Sequence, residues 1–484
     1  MFSPATAGAS IRPVRLSHRC FRVVLALLIV CASITAFSGE QDQHLDREFQ
    51  VAAAQYDAGQ YAEAAKRLEA LLREVPDSFD VHELLGMVYA AQQQDSKATA
   101  HLEQAVRLKP DSAAARANLA ANLVRLGKLR QAEEHFRKAV ALEPRTYDAN
   151  HNLGEFYIQA GKIPQAAPFL EQAQRMKPSA YDNGYDLSLA YIQVGKLAEA
   201  RKVIHQLLKQ KNTSELHNLL GQAEEKDGKF VAAANEFELA AHMDPTESNL
   251  FDWGSELLLH RTLDPAIEVF RQATERYPNS PRLAVGLGMS LYSRGNYDDA
   301  VKSLLRGADL APSDEHCYLF LSKAYDRSPA QADEVIQRFR RFAELQPNNP
   351  RALYYYAVSL WKGKRAQNTG LDLDEIESLL KKSVALDPNL AEAHLQLGNL
   401  YSDQNKFSEA IPEYLLAIKQ SPNMADARYR LAQAYVRTGQ KELAQEQLRV
   451  YQKLRAEHLA ELDKQRADIR QFIYSAKDAP ATKP

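Results

Sequence analysis

The sequence predicts an all-α protein built as a solenoid of stacked helical hairpins, and three observations predict it. Prolines recur at Pro76, Pro110, Pro144 and Pro178, each 34 residues after the last, and again at Pro245, Pro278, Pro312, Pro347, Pro388 and Pro422. Alanines and large apolar residues keep fixed distances from those prolines. Ala, Leu, Gln, Glu, Lys and Arg dominate the composition, which favours helix over strand. Repetition at a period of this size is the signature of a repeat array.

The stretch LGEFYIQAGKIPQAAPFLEQAQRMKP, residues 153–178, shows how one unit is written. Leu153 and Tyr157, then Ala166, Leu170 and Ala173, recur at helical spacing. Gly161 separates the two groups and Pro178 closes the second, so the stretch reads as two short helices and a turn. Pro164 stands near the start of the second helix, where a missing N–H matters little. Gly154 lies inside the first helix, where glycine weakens it by roughly 1 kcal/mol relative to alanine. Its presence there predicts a close approach of another helix. Pro168, and Pro412 at the same place in a later unit, predict that the second helix tolerates a missing hydrogen bond early in its course.

In chain order, the first 38 residues differ from the rest. Arg12, Arg15, Arg19 and Arg22 form a basic leader without carboxylates, and Val23–Ser38 follows as 16 uncharged residues. That apolar run is short for a membrane span of about 20 residues. Ala36 and Ser38 supply the small residues of a cut before Gly39, so residues 1–38 are expected to be a secretory signal peptide. The alternative is an uncleaved N-terminal anchor, which would associate the protein with a membrane. Cys31 raises a third, lipoprotein reading, but the bulk of Val30 before it argues against that. Of Cys20, Cys31 and Cys317, Cys317 alone lies beyond the cut, so no internal disulfide is expected in the mature chain. The expected location is the periplasm or envelope of a bacterium.

From residue 45 to 456 the repeat runs on. Twelve residues before the proline there is usually alanine: Ala64, Ala98, Ala132, Ala166, Ala233, Ala266, Ala300 and Ala410. Eight before it stands a large apolar residue, among them Leu68, Leu102, Phe136, Leu170, Phe237, Phe270, Leu304 and Tyr414. Nearer the front come Leu85-Gly86, Leu119-Ala120, Leu153-Gly154, Leu220-Gly221, Leu287-Gly288 and Leu397-Gly398, often with tyrosine three residues on, as at Tyr89, Tyr157, Tyr191, Tyr401 and Tyr435. This pattern resembles the tetratricopeptide repeat (TPR) in about twelve units. The resemblance implies an α-solenoid, wound as a right-handed superhelix with a concave inner surface. No unit carries the early tryptophan of that consensus. Asn212 replaces one unit-ending proline, Asp333 and Glu334 stand where an alanine is expected, and one unit has about seven extra residues near WKGKRAQNTGLDLD. Residues 457–484 read as a charged capping helix and a disordered tail.

The repeats and leader leave no room for a catalytic domain. The sequence has no phosphate-binding glycine loop, paired-cysteine metal motif or nucleophile elbow, so no enzyme activity, cofactor or metal is expected. With 60 basic against 62 acidic residues it has no footprint for nucleic acid. His82, His217 and His394 share the slot of the missing tryptophan, where packing is the expected role and a metal site would need ligands from several units. Asn212-Thr213-Ser214 matches a glycosylation acceptor that a bacterial chain would leave unused, and Lys381-Lys382 reads as a solvated face.

The expected function is that of an exported scaffold binding a protein or peptide; the rival is an accessory component of an envelope assembly, such as a polysaccharide or protein exporter. Two candidate sites follow from positions that the family resemblance turns inward. Asn118 and Asn152 each precede the leucine of their unit, and Asp186 continues the register before Leu219 breaks it. Amide side chains in that place offer a donor and an acceptor to an extended backbone; the alternative is a polar residue on a wet face. The second candidate is aromatic: Phe251, Tyr292, Phe320, Tyr354, Tyr355 and Trp361. Exposed aromatics in series mark interaction surfaces, whereas repacking of irregular units would bury these rings. Tyr356 is expected in the core.

Overall fold

The computed structural model describes residues 40–328, 331–367 and 373–456, with Ala467, Ile469, Arg470 and Ile473 beyond them. The leader and its cut before Gly39 therefore lie outside the described residues, as does most of the segment after 456. Every regular element described is an α-helix. The chain divides into two compact units between Glu236 and Phe237.

The N-terminal unit contains α1 (Glu40–Asp57), α2 (Tyr61–Glu74), α3 (Phe79–Ala91), α4 (Asp95–Leu108), α5 (Ala113–Arg125), α6 (Leu129–Leu142), α7 (Tyr147–Gln159), α8 (Ile163–Met176), α9 (Tyr181–Gln193), α10 (Leu197–Gln210) and α11 (Ser214–Lys226), and the division falls within α12 (Phe230–Met243). The C-terminal unit continues with α13 (Glu247–Leu259), α14 (Leu263–Arg276), α15 (Pro281–Arg294), α16 (Tyr297–Leu310), α17 (Glu315–Arg327), α18 (Ala332–Leu345), α19 (Pro350–Gln367), α20 (Leu373–Leu386), α21 (Ala391–Asp403), α22 (Phe407–Gln420), α23 (Ala425–Arg437) and α24 (Lys441–Ala456). Odd-numbered helices are the first helices of the hairpins. Within each unit they also touch one another side by side, as α3 does α5 and α15 does α17, and so form one layer.

The recurring residues make the core. Ala64, Ala98, Ala132 and Ala166 are fully buried, as are Leu68 and Leu170, four residues or about one turn further along the same helices. Gly154 explains itself by distance: a Cβ there would stand 2.5 Å from Cδ2 and 2.6 Å from Cγ of Leu170. Only a residue without a side chain lets α7 settle onto α8 so closely. Gly161 has φ of +70° in the turn between them, the left-handed conformation that glycine enters freely, while Gln93, Arg261 and Asn405 take it up in other units. Pro168 and Pro412 sit on exposed positions of α8 and α22. The carbonyls they leave unbonded thus lie on the solvent side, which is why the helices run through them.

Several first helices start at a side-chain cap. Ser112 Oγ accepts from the Ala115 amide at 3.1 Å and Thr246 Oγ1 from the Asn249 amide at 3.2 Å. A second device ties several units to the proline before them. Six residues after the proline, a side chain donates to that proline's carbonyl: Arg116 to Pro110 at 2.8 Å, Asn150 to Pro144 at 3.0 Å, Tyr318 to Pro312 at 3.1 Å. His82 and His394 belong to this set, with Nε2 at 2.9 Å from Pro76 O and 3.1 Å from Pro388 O. Where Asn212 replaces the proline, His217 Nε2 meets the Asn212 side-chain oxygen at 2.7 Å. The three histidines therefore hold joints between units. Among the described residues no three His, Cys, Asp or Glu side chains gather as metal ligands would.

Two irregular units differ from the sequence reading. Counting back from Pro347, the alanine slot is filled by the fully buried Val335, while Asp333 and Glu334 point out one step earlier. The larger side chains there are absorbed by repacking: Tyr318 stacks on Phe342 with ring centroids 4.1 Å apart. In the longer unit, the first helix α19 has 18 residues against 13 in α17. Part of the insertion is thus extra helix, and residues 368–372 lie outside the described residues. Ile376 and Leu380 fill its core slots completely buried. Near the C-terminus, Ile473 is fully buried in the hydrophobic core and Ile469 packs against it.

Candidate functional site

In the N-terminal unit the first-helix layer brings polar residues of consecutive hairpins together. Asn118, half-buried on α5, donates from Nδ2 to Glu83 Oε1 of α3 at 3.1 Å. Burial pushes the Glu83 carboxyl up from its ordinary range, and the hydrogen bond from Asn118 partly offsets this. Asn118 is thus already engaged within the layer. Asn152, half-buried on α7, makes no hydrogen bond with any described residue.

Asp186 lies one unit further, half-buried on α9. Its carboxyl is raised to about 7, first by burial, then by the nearby carboxylates of Glu155 and Asp182. These three acids come from α7 and α9 and are up to 31 residues apart in sequence. Beside them, Tyr147 and His151 stack with centroids 5.1 Å apart and planes 17° from parallel. Asn183 spends both hydrogens of its amide on Leu170 O at 2.9 Å and Gln174 Oε1 at 2.7 Å. Its oxygen therefore accepts from His151 Nδ1 at 3.1 Å, which makes Nδ1 the protonated nitrogen and turns Nε2 toward Glu155 Oε2, 3.9 Å away. The Tyr147 hydroxyl is pushed up by burial and by Asp182, Asp148, Asp186 and Glu155. The arrangement is a small concentration of negative charge beside an aromatic wall. A cation of the chain already stands on that wall: Lys177 Nζ lies 4.1 Å from the Tyr147 ring centroid and 3.8 Å from Asp148 Oδ1.

The aromatic row in the C-terminal unit is a different matter. Phe251, Phe320, Tyr355 and Trp361 are buried. Phe251 has no exposure at all; it meets Phe270 edge-on at 6.1 Å and lies under the Arg282 guanidinium at 5.0 Å. Tyr355 packs on Phe339 at 5.7 Å. The expectation of a serial exposed patch is thereby corrected: these rings turn into the packing between helices, Phe251 against Phe270 of α14 and Tyr355 against Phe339 of α18. Tyr292 and Tyr354 keep partial exposure. Tyr356 is buried as expected, its hydroxyl accepting from Arg340 Nε and donating to Glu375 Oε1, both at 2.9 Å. Sequence reasoning missed Glu155, Asp182, Tyr147 and His151. The signal available was their shared first-helix register with Asn152 and Asp186.

Models described as tetratricopeptide repeat match residues 52–113, 117–181, 251–315, 159–223 and 426–458, and one described as TPR repeat matches 398–439. This chain is a tetratricopeptide-repeat protein. Mouse protein O-mannosyl-transferase TMTC3 is 24% identical to this TPR chain over 211 residues, which are 41% of the chain and 21% of the mouse protein. The TPR repeat-containing protein YpiA of Bacillus subtilis (strain 168) is 27% identical over 185 residues, 38% of this chain and 41% of YpiA. The matches thus span a fifth to two fifths of those relatives' lengths. Among solved structures, yeast Tom70 is similar at 16% identity and a TM-score of 0.36, with 90% of this chain and 96% of Tom70 covered. The APC/C hetero-tetramer Cut9-Hcn1 is similar at 14% identity and a TM-score of 0.37, covering 91% and 96%. The TPR array has the architecture of a protein-interaction scaffold.

Proposed function

We propose that this TPR protein is an exported, non-catalytic scaffold that holds an extended segment of a partner protein on the first-helix layer of its N-terminal unit, with a Lys or Arg side chain of the partner set against Asp186. The observation that carries the reading is the grouping of Asp186 with Glu155 and Asp182. Burial and two like charges oppose ionisation of Asp186, and an arriving ammonium or guanidinium would relieve both. Asn152, at the same register one unit earlier on α7, offers an amide to the partner's backbone. Export rests on the basic leader and the uncharged run Val23–Ser38. No described helix is long and apolar enough to cross a membrane. The same leader, left uncut, would favour the rival reading of an anchored accessory of a bacterial envelope assembly.

The test is a fluorescence-anisotropy titration of the mature protein with extended lysine-bearing peptides and with matched peptides carrying glutamate or glutamine instead. Binding of the lysine peptides alone is expected, with at least tenfold weakening in Asp186→Asn and further weakening when Asn152→Ala is added. Equal affinity for lysine and glutamine peptides, or an unchanged affinity in Asp186→Asn, would refute the site. N-terminal sequencing of the protein from its native host separates a start at Gly39 from a retained Met1.

A further inference from the structure

One pairing recurs between a first helix and the second helix of the same hairpin, 19 residues apart, and it recurs with different chemistry. On α21 and α22, His394 Nδ1 lies 2.6 Å from Glu413 Oε2; on α11 and α12, His217 Nδ1 lies 2.6 Å from Glu236 Oε2. On α3 and α4 the corresponding partner is a second histidine: His82 Nδ1 and His101 Nδ1 are 3.0 Å apart.

The protons of this pair can be assigned from its surroundings. His82 Nε2 faces the Pro76 carbonyl at 2.9 Å, and a carbonyl only accepts, so Nε2 carries a hydrogen. In the neutral ring Nδ1 is then bare. It must accept from His101, whose neutral ring carries its hydrogen on Nδ1. The pair can hold one further proton, on either ring, and still keep one nitrogen bare between the two. A second further proton would place N–H against N–H at a distance that only a hydrogen bond permits. His82 is buried and His101 half-buried, so water cannot readily replace the lost bond.

We propose that the His82–His101 pair makes the α3–α4 hairpin acid-sensitive, opposite in sign to the α21–α22 hairpin, where a proton on His394 completes an ion pair with Glu413. The groups facing the pair are few. From α2 comes the Glu69 carboxylate, which favours a proton on His101; from α3 comes Tyr89, whose ring stacks on His101 at 5.6 Å and whose hydroxyl donates to Glu69; from α4 comes Lys97, which opposes the proton. Burial and the His82 ring outweigh Glu69 and lower His101, whereas Glu413 raises His394. For a lowered histidine, stability is present above the ordinary value near 6.5 and is lost as pH falls through the folded value. For a raised one, stability is present below about 6.5 and lost as pH rises through the folded value.

Hydrogen exchange read by mass spectrometry on the mature chain from pH 8 to pH 5, corrected for intrinsic exchange rates, compares the two hairpins directly. Protection of α3–α4 is expected to fall relative to α21–α22 as pH drops, approaching about tenfold in the opening ratio per pH unit for each linked proton. His101→Glu supplies the partner found in the other two hairpins and is expected to abolish that fall. His101→Gln keeps an amide donor for His82 Nδ1 and removes one titrating ring, so it should shrink the fall if the glutamate variant does not fold. Parallel loss of protection in both hairpins, or a full acid response retained in His101→Gln, would overturn the proposal.

Discussion

Tyr355 separates a binding surface from a packing core, and its removal can be sized. The ring is 6% exposed, wedged against Phe339 on α18 and its neighbour Tyr354. A buried aromatic ring removes roughly 150–250 Å² from water, worth about 4–6 kcal/mol at about 25 cal/mol per Å². Direct truncations of buried aromatics centre somewhat lower, at about 3–5 kcal/mol, because the site partly collapses. Tyr355→Ala is therefore expected to destabilise the C-terminal unit by about 4 kcal/mol, a large part of the roughly 5–15 kcal/mol that holds an ordinary domain together. In a repeat array the loss should concentrate in the hairpins around α18–α19. Chemical denaturation followed by circular dichroism gives the total, and hydrogen exchange gives its location. Tyr354→Ala, at a partly buried ring packed against the same core one residue away, serves as the control and should cost less. A loss below about 1 kcal/mol in Tyr355→Ala, or a greater loss in Tyr354→Ala, would mean that α19 presents the opposite face to its neighbours and that the burial argument fails.

Gly154→Ala should lower stability although alanine is the better helix former. The gain in propensity is about 1 kcal/mol, but a methyl 2.5 Å from the fully buried Leu170 forces α7 and α8 apart, and overpacking of this kind costs about 1–3 kcal/mol; a melting temperature above wild type would refute the contact. Asp186→Asn should stabilise the protein at pH 8 and leave it nearly unchanged at pH 4. Because the folded carboxyl is raised to about 7, its unfavourable contribution is absent below the ordinary value near 3.9, grows between there and 7, and is complete above. Partial exposure keeps the effect on the order of 1–3 kcal/mol, and equal stability of variant and wild type across pH 4–8 would show that the three acids do not sense one another.

The fold was legible because its rules are local. Ala166, Leu170 and Gly154 lie within one unit, and their spacing shows directly which side chains must meet. The same counting failed at Glu334, where the eye sought alanine; the slot belonged to Val335, a residue that satisfies burial without matching the consensus letter. The site was harder for a different reason. Helical spacing tells which face Phe251 occupies but not how near the neighbouring helices stand, and that distance decides whether a ring is a handle or a filler. The charge cluster was invisible for the same cause: Glu155 and Asp186 become neighbours only when α7 and α9 lie side by side. Residue type alone also hid the joints, since His82, Asn150 and Tyr318 share no family of side chains.

Those joints have a consequence for how such a sequence can drift. At several seams the proline carbonyl that ends a unit receives a hydrogen from six residues downstream, and histidine, asparagine, tyrosine and arginine all deliver one; where Gly184, Phe251 or Ala284 holds that place, Gln174, Tyr277 and Arg306 donate to Pro178, Pro245 and Pro278 from elsewhere. A mutation between these types keeps the seam closed, while a change to leucine or valine leaves a carbonyl without its donor. The constraint is one of polarity and reach, not of one residue type or one fixed position. Units can therefore diverge in letters wherever a donor from either side of the seam still reaches the carbonyl.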